Sequence, residues 1–178
     1  MTAVPEWMRP PRPEGWYADD LDTLTEAPRH TELIDGALVF MMSPQRVWHA
    51  RIVTALVNAL TDQAPSGVEV DREITVRLDR WNRPEPGLVA AAAPYDPSRT
   101  FYTPEETLLV VEVVSPESAH RDRTVKLRKY AEAGIANYWP SRRRTAHLWS
   151  TPTNWTCRHG PTWRPESIAT NCGPRSRS

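Results

Sequence analysis

A chain of 178 residues, with 22 basic, 22 acidic and two cysteine residues, is long enough for one domain with a sizeable core. Its net charge of zero comes from two unequal parts, because residues 1–140 contain 15 Lys and Arg against 21 Asp and Glu, whereas residues 141–178 contain 7 against 1. The acidic body argues against strong non-specific binding to nucleic acid, the few cysteines exclude a Cys/His metal site, and the short apolar runs exclude a membrane span. We therefore expect a cytoplasmic protein that has no membrane partner.

The first predicted elements are an arm, a helix and a hairpin. Residues 1–15 are rich in proline and lack apolar periodicity, which predicts an extended arm. Apolar residues at helical spacing predict a helix over residues 16–24. Asp35-Gly36 between two apolar runs is a strong tight-turn signal, so residues 31–42 are predicted to form a β-hairpin.

Two polar residues in this region have alternative interpretations. Glu32, at the start of the hairpin, is either a solvated strand-edge residue or part of a site. Ser43-Pro44 predicts the start of a helix whose body runs from residue 47 to residue 62. His49 lies in its first turn and is either structural or a ligand.

The middle of the chain is predicted to be rich in β-strands. Residues 68–78 alternate between apolar and polar side chains, which predicts one half-exposed strand. Residues 83–89 predict a proline-led entry into a short strand, and residues 90–97 predict a loop. Residues 107–114 are almost continuously aliphatic, which predicts a strand buried on both faces. Glu112 lies in the middle of this run and, because burying a lone carboxylate is costly, it needs a partner or a function.

A helix is predicted after the buried strand. Ser118 can cap it, and Gly134 is placed to end it after residue 133. Asp122, Lys126 and Tyr130 recur every fourth residue, so they share one face of this helix. Taken without the neighbouring strand, Lys126 is better explained as a member of a surface ion pair.

The tail, residues 140–178, has a different composition. Arg, Thr, Pro, Ser and Trp dominate it, and it cannot bury enough apolar surface to offset the entropy of ordering. We expect it to be largely irregular. Its tryptophan and arginine residues also suggest single-strand stacking, but no periodic scaffold holds the rings.

These pieces, in this order, resemble the PD-(D/E)XK nucleases and, more narrowly, the Uma2 family of restriction endonucleases. The similarity covers residues 5–139 and rests on five short motifs: Thr-Glu-Leu-Ile-Asp-Gly at 31–36, Ser-Pro followed by His49, Arg-Pro-Glu-Pro at 83–86, Val-Val-Glu-Val-Val-Ser-Pro at 110–116, and Asp122-Arg123 leading to Lys126, Tyr130, Gly134 and Tyr138-Trp139. The resemblance implies an α/β fold, namely a restriction-endonuclease-like mixed β-sheet flanked by helices. The expected domains are the arm, a nuclease-like domain over residues 16–139, and the irregular C-terminal tail.

The resemblance also implies a chemistry. Phosphodiester cleavage requires charge neutralisation and an activated water, which a divalent cation held by carboxylates provides. Carried over by motif, Glu32 and Glu112 are expected to bind Mg²⁺ or Mn²⁺, and Lys126 is the expected catalytic lysine. DNA is the expected partner, and a homodimer is compatible with the family. The auxiliary candidates are His49, Glu85, Asp122 and Tyr130.

The sequence departs from the family pattern in two places. The family has aspartate, the central metal ligand, where this chain has Gly87, so we expect a metal-dependent endonuclease of reduced activity. The alternative is a non-catalytic nuclease-like remnant that acts as a nucleic-acid-binding or assembly module. After Trp139 the family continues with a strand that begins with Val and is rich in acidic residues, whereas this chain has Pro-Ser-Arg-Arg-Arg-Thr-Ala. Codons for this segment, read one nucleotide out of phase, can encode such an acidic strand. We therefore predict a frameshift near Trp139.

Overall fold

The computed structural model describes residues 4–40, 46–116 and 118–141 of the chain. Within these ranges the strands are β1 Thr31–Ile34, β2 Ala37–Phe40, β3 Glu69–Arg72, β4 Thr75–Val76, β5 Leu88–Ala91, β6 Phe101–Tyr102, β7 Thr107–Val113 and β8 Tyr138–Ser141. Helix α1 spans Val47–Thr61, and a π-helical segment, Arg121–Lys126, continues into α2, Leu127–Glu132. Short 3₁₀ turns span Glu6–Met8 and Ala18–Asp22. None of the helices in these ranges is both long and apolar enough to span a membrane.

The central sheet has the strand order β3-β5-β7-β8. β3, β5 and β7 pair in antiparallel fashion, whereas β8 pairs with β7 in parallel, so the sheet is mixed. One face of β7 packs against α1 in a cluster that includes Leu56 and Val111. The other face packs against α2 through Val110 and Tyr130. Burial on both faces explains the continuous aliphatic run of β7, and the predicted α/β fold is confirmed.

The predicted hairpin is also present. Asp35 and Gly36 have φ values of 51° and 74°, the conformation of a primed two-residue turn that matches strand twist. Leu33 and Arg83 exchange both backbone hydrogen bonds, at 3.1 and 2.8 Å. The hairpin is thereby fixed beside the segment that leads into β5, which brings Glu32 close to the central sheet.

Three sequence predictions about local structure are wrong. Residues 16–24 form only the 3₁₀ turn Ala18–Asp22, because the Asp20 carboxylate accepts the Tyr17 N–H at 2.7 Å and caps a single turn. The strand over residues 68–78 is interrupted, since Glu73 has φ 57° and separates β3 from β4. The loop predicted from residue 90 begins two residues later, because Ala90 and Ala91 pair with both β3 and β7.

The helix after β7 ends where predicted. Gly134 has φ 84°, and the Ile135 N–H donates to the Tyr130 carbonyl at 3.0 Å. β8 includes Pro140 and Ser141, so the sheet extends two residues beyond the expected limit of the domain. The expectations for residues 41–45, including the Ser43-Pro44 helix start, and for the tail from residue 142 lie outside the described residues.

Candidate active site

Three charged side chains from separate elements meet on the α2 side of β7. The Lys126 ammonium donates to Glu112 Oε1 and to the backbone carbonyl of Glu85, both at 3.0 Å. It also forms an ion pair with Glu32 Oε1. The structure therefore brings together the two carboxylates and the lysine that the resemblance singled out. We call Glu32, Glu112 and Lys126 the carboxylate–lysine cluster.

The local structure explains why these side chains converge. Glu112 shares a face of β7 with Val110, two residues earlier, so it faces the helix that follows the strand. Glu32 is held from the other side, because its Oε1 accepts the Glu85 N–H at 2.9 Å. Lys126 is the last residue of the π-helical segment, and π-helical turns are frequent at functional sites.

The cluster is buried. The exposed fractions are 1% for Glu32, 5% for Glu112 and 2% for Lys126. The interpretation of Glu32 as a solvated strand-edge residue is therefore wrong, and so is that of Lys126 as a member of a surface ion pair. A buried charge is stable only with partners, and here the partners are the other members of the cluster.

Burial and charge together shift the acidities in the cluster. Burial raises the pKa of Glu112 to about 7; Lys126 opposes this rise, whereas Asp122 and Glu32 add to it. Burial alone would lower the pKa of Lys126, but Glu112 and the other carboxylates outweigh it and leave that pKa above its ordinary value. The lysine therefore stays protonated among the carboxylates of Glu32, Glu112 and Asp122.

Two auxiliary candidates on the helix lie beside the cluster. The Tyr130 hydroxyl donates to Glu112 Oε1 at 3.3 Å, and Asp122 Oδ1 lies 3.9 Å from Lys126 Nζ. Burial, followed by the Glu112 charge, places the pKa of Tyr130 well above its ordinary value, so the hydroxyl remains a donor. Burial also raises the pKa of Asp122. Tyr130 therefore orients Glu112, and Asp122 adds negative charge near the lysine.

Gly87 immediately precedes β5, next to Leu88, which pairs with Val111 of β7. Continued by one residue, the antiparallel register that pairs Leu88 with Val111 would set position 87 opposite Glu112, so that a side chain at 87 would share the face of Glu112. A Cβ at position 87 would be 3.2 Å from both the Val111 carbonyl oxygen and the Val113 nitrogen. The position expected to carry a ligand therefore has no side chain and little room for one.

Glu85 contributes mainly through its backbone. Its N–H and carbonyl bind Glu32 and Lys126, while its carboxylate lies 2.5 Å from His30 Nδ1. Burial raises the pKa of Glu85, and the bond to His30 opposes that rise. Sequence reasoning missed His30, which precedes β1 and has a φ of 62°, so the alternation of the strand did not point to it.

His49 comes from α1, the helix that packs against the other face of β7. Its Nδ1 is buried and has no hydrogen-bond partner within the described ranges, and burial lowers its pKa. Arg121 was also missed, and its Nε lies 3.5 Å from Glu32 Oε2. Nothing in the spacing of the sequence linked Arg121 to the hairpin, because the contact depends on how the hairpin docks.

A cavity of about 610 Å³ opens beside the cluster. All members of the cluster line it, together with His30, His49, Glu85, Gly87, Asp122 and Arg121. The sequence-predicted site residues other than Tyr130 therefore border one space. Tyr130 lies behind Glu112 and is fully buried.

The donors at this site are hard oxygen atoms, which suit Mg²⁺. Mg²⁺ is commonly held by one or two carboxylates, with water and substrate phosphate as its other ligands. Glu32 Oε2 is buried and accepts no hydrogen bond within the described ranges. Glu32 and Glu112 therefore fit such an ion. The same ranges contain no group of three or more His, Cys, Asp or Glu side chains arranged to hold a metal.

The comparison with protein families gives one match. The Uma2 family, whose description is "Putative restriction endonuclease", matches residues 18–169. The match extends past residue 139, where the resemblance of the motifs ends, so it includes part of the segment predicted to be frameshifted. No curated protein matches the chain.

Proposed function

Because the chain belongs to the Uma2 family of restriction endonucleases, we propose that the carboxylate–lysine cluster is the catalytic centre of a metal-dependent DNA endonuclease whose metal affinity is weakened at Gly87. The observation that carries the proposal is the convergence of Glu32, Glu112 and Lys126 at one cavity. These residues come from a hairpin, a central strand and a later helix. Packing alone does not require three charged residues there, since apolar residues of similar volume are as stable or more so.

Glu32 and Glu112 are the residues that would hold the ion. The cluster and Asp122 carry three carboxylates against Lys126 and, beside Glu32, Arg121; burial, Asp122 and Glu32 raise the pKa of Glu112 to about 7. A divalent cation would relieve this excess of negative charge. Mg²⁺, when bound, polarises the scissile phosphate and acidifies water.

The other residues of the chain have supporting roles. Lys126 presents a buried ammonium that stabilises negative charge developing on the phosphate, an interaction that is strong where water is excluded. The Glu85 carbonyl and Glu112 fix the position of this ammonium at 3.0 Å each. Tyr130 holds Glu112 through its hydroxyl, so the carboxylate keeps one orientation.

Gly87 is the reason that we expect weak metal binding. The family pattern supplies an aspartate at this position, which would lie opposite Glu112 if the strand register continued by one residue. The Glu85 side chain does not replace it, because its carboxylate is bound to His30. With two carboxylates instead of three, metal binding depends more strongly on the phosphate that the substrate contributes.

Substitution at position 87 tests the proposal. Gly87→Asp restores the carboxylate, and Gly87→Asn has the same shape without the charge. We expect Gly87→Asp to bind Mn²⁺ and to cleave DNA, offered both as a supercoiled plasmid and as a single strand, at least tenfold better than Gly87→Asn, since even outer-shell partners of metals contribute roughly 10- to 100-fold. Adding Glu112→Gln to Gly87→Asp or to Gly87→Asn should abolish nicking.

The comparison of the two variants separates charge from shape. Both place a Cβ near the β7 backbone, so any loss caused by crowding affects them equally. Equal rates for wild type and Gly87→Asp in Mg²⁺ or Mn²⁺ would contradict a weakened site. Nicking that survives Glu112→Gln would contradict the assignment of the catalytic centre.

A second function is favoured by one observation. Lys126 already bridges Glu32 and Glu112, so the cluster is partly neutralised without any metal. This arrangement suits a nuclease-like module that binds DNA without cutting it. DNA binding that changes neither with Mg²⁺ nor in Glu112→Ala, together with no nicking by Gly87→Asp, would support this module over the enzyme.

A further inference from the structure

We propose that the strand accepted by this site is unpaired: single-stranded DNA, or a strand splayed away from a duplex, of which one nucleotide enters the cavity with its base against Trp48. The inference rests on the proposed function and specifies its substrate. It is carried by the depth of the cluster, the walls of the cavity and the charge of the surrounding domain.

The depth of the cluster limits what can reach it. Glu32, Glu112 and Lys126 are each at most 5% exposed, and they are approached through the cavity beside β7. The phosphates of intact duplex DNA lie on the outside of a stiff rod. A nucleotide that leaves the stack can follow a path into such a cavity more deeply than a stacked one, as happens in enzymes that extrude a base into a pocket.

The cavity walls carry the groups that hold an unpaired nucleotide. Trp48 is half-buried: one side of it packs against the core beside α1, and it also lines the cavity. Three arginines, Arg46, Arg72 and Arg121, line the same cavity beside its carboxylates and offer positive charge to a phosphate. An aromatic ring beside basic residues is the combination by which single strands are bound without reading of sequence.

The charge of the domain disfavours a long duplex footprint. Residues 1–140 contain 15 basic against 21 acidic residues, so phosphates that follow this surface would meet net repulsion. A local site that engages one or two nucleotides avoids that repulsion. Trp48 and the arginines of the cavity, together with a divalent cation held by its carboxylates, would provide such a local site.

Binding of three DNAs of the same sequence tests the inference: a single strand, a blunt duplex and a duplex with a forked end. With Ca²⁺ replacing Mg²⁺, fluorescence anisotropy should show at least tenfold tighter binding of the single strand and of the fork than of the blunt duplex. With Mg²⁺, cleavage should occur in the single strand and in the fork near its junction.

Variants of Trp48 locate the contact. Trp48→Ala should weaken single-strand binding roughly five- to a hundredfold, which is the range for the loss of one base stack. Trp48→Phe retains an aromatic face and should keep most of the affinity. Trp81→Phe is the matched control, because Trp81 packs on Tyr17, outside the cavity lining, and should leave binding unchanged.

The outcomes separate the substrate from the function. Equal or tighter binding of the blunt duplex, no binding of any DNA, or wild-type affinity in Trp48→Ala overturns the inference. Preferred cleavage of blunt duplex overturns it while leaving the endonuclease function intact. Selective binding of unpaired DNA without cleavage supports the inference and refutes the catalytic function. If Trp48→Ala does not fold, the three-DNA comparison with wild type still tests whether unpaired DNA is preferred.

Discussion

Lys126→Met tests whether the buried ammonium holds the cluster together. Methionine keeps most of the length of the side chain and removes its charge, which leaves Glu32 and Glu112 buried without their shared cation. Removal of one partner of a buried ion pair costs about 3–5 kcal/mol. Since Lys126 is 2% exposed and contacts two carboxylates and a carbonyl, we expect a loss of about 4 kcal/mol.

Urea unfolding in EDTA, followed by tryptophan fluorescence, measures this loss as a shift of the midpoint by about 2 M. Lys129→Met is the control, because Lys129, whose side chain is 11% exposed, pairs with Asp35, whose carboxylate is 61% exposed and stays solvated without the lysine, and pairs with a solvated partner contribute about 0–1 kcal/mol. Adding Glu112→Gln to Lys126→Met should recover at least about 1 kcal/mol, since one uncompensated carboxylate is removed. If Lys126→Met and Lys129→Met have the same stability, the ammonium does not balance the cluster.

Two further predictions concern stability in EDTA. Because the pKa of folded Glu112 is raised from 4.5 to about 7, its contribution to stability is present in full below pH 4.5 and is lost as the pH rises through 7. The free energy of unfolding of wild type should therefore fall by about 3 kcal/mol over this range relative to Glu112→Gln, and parallel pH profiles would refute the shift. Gly36→Ala should cost about 1 kcal/mol more than Gly67→Ala in urea unfolding. Both glycines have positive φ, but a Cβ at 36 meets the Trp81 ring at 3.0 Å whereas a Cβ at 67 meets nothing within 4 Å, so equal losses would show that crowding there has no cost.

The elements that could be predicted are those encoded by a local pattern. The Asp35-Gly36 turn follows from the preference of these residues for positive φ, and α1 follows from one apolar stripe. β7 could be predicted as a strand buried on both faces because its aliphatic run lacks the alternating polar residues of a solvent-exposed face. Glu112 was conspicuous for the same reason, as the one charged residue in that run.

The elements that were missed depend on contacts between distant residues. β6 is two residues long and exists only because it pairs in parallel with β4. The interruption at Glu73 is a single residue with positive φ, which no alternation of side chains reveals. The contacts of His30 with Glu85 and of Arg121 with Glu32 both depend on where the hairpin docks. Spacing alone could not place Glu32 beside Lys126; the resemblance to the family did so.

Gly87 connects the stability of the sheet to the chemistry of the site. A Cβ there would be 3.2 Å from two backbone atoms of β7, tighter than ordinary van der Waals contact, so β5 and β7 must separate slightly to accept any larger residue. Glycine therefore favours close pairing of these strands at the point where the family pattern has a metal ligand. Gly87→Asp should gain metal affinity and lose stability in the absence of metal, whereas Gly87→Asn should only lose stability. Because the two effects have opposite signs, a modest gain in nicking by Gly87→Asp is expected even if the carboxylate binds the ion well, and Mn²⁺ affinity is the more direct measure of the restored ligand.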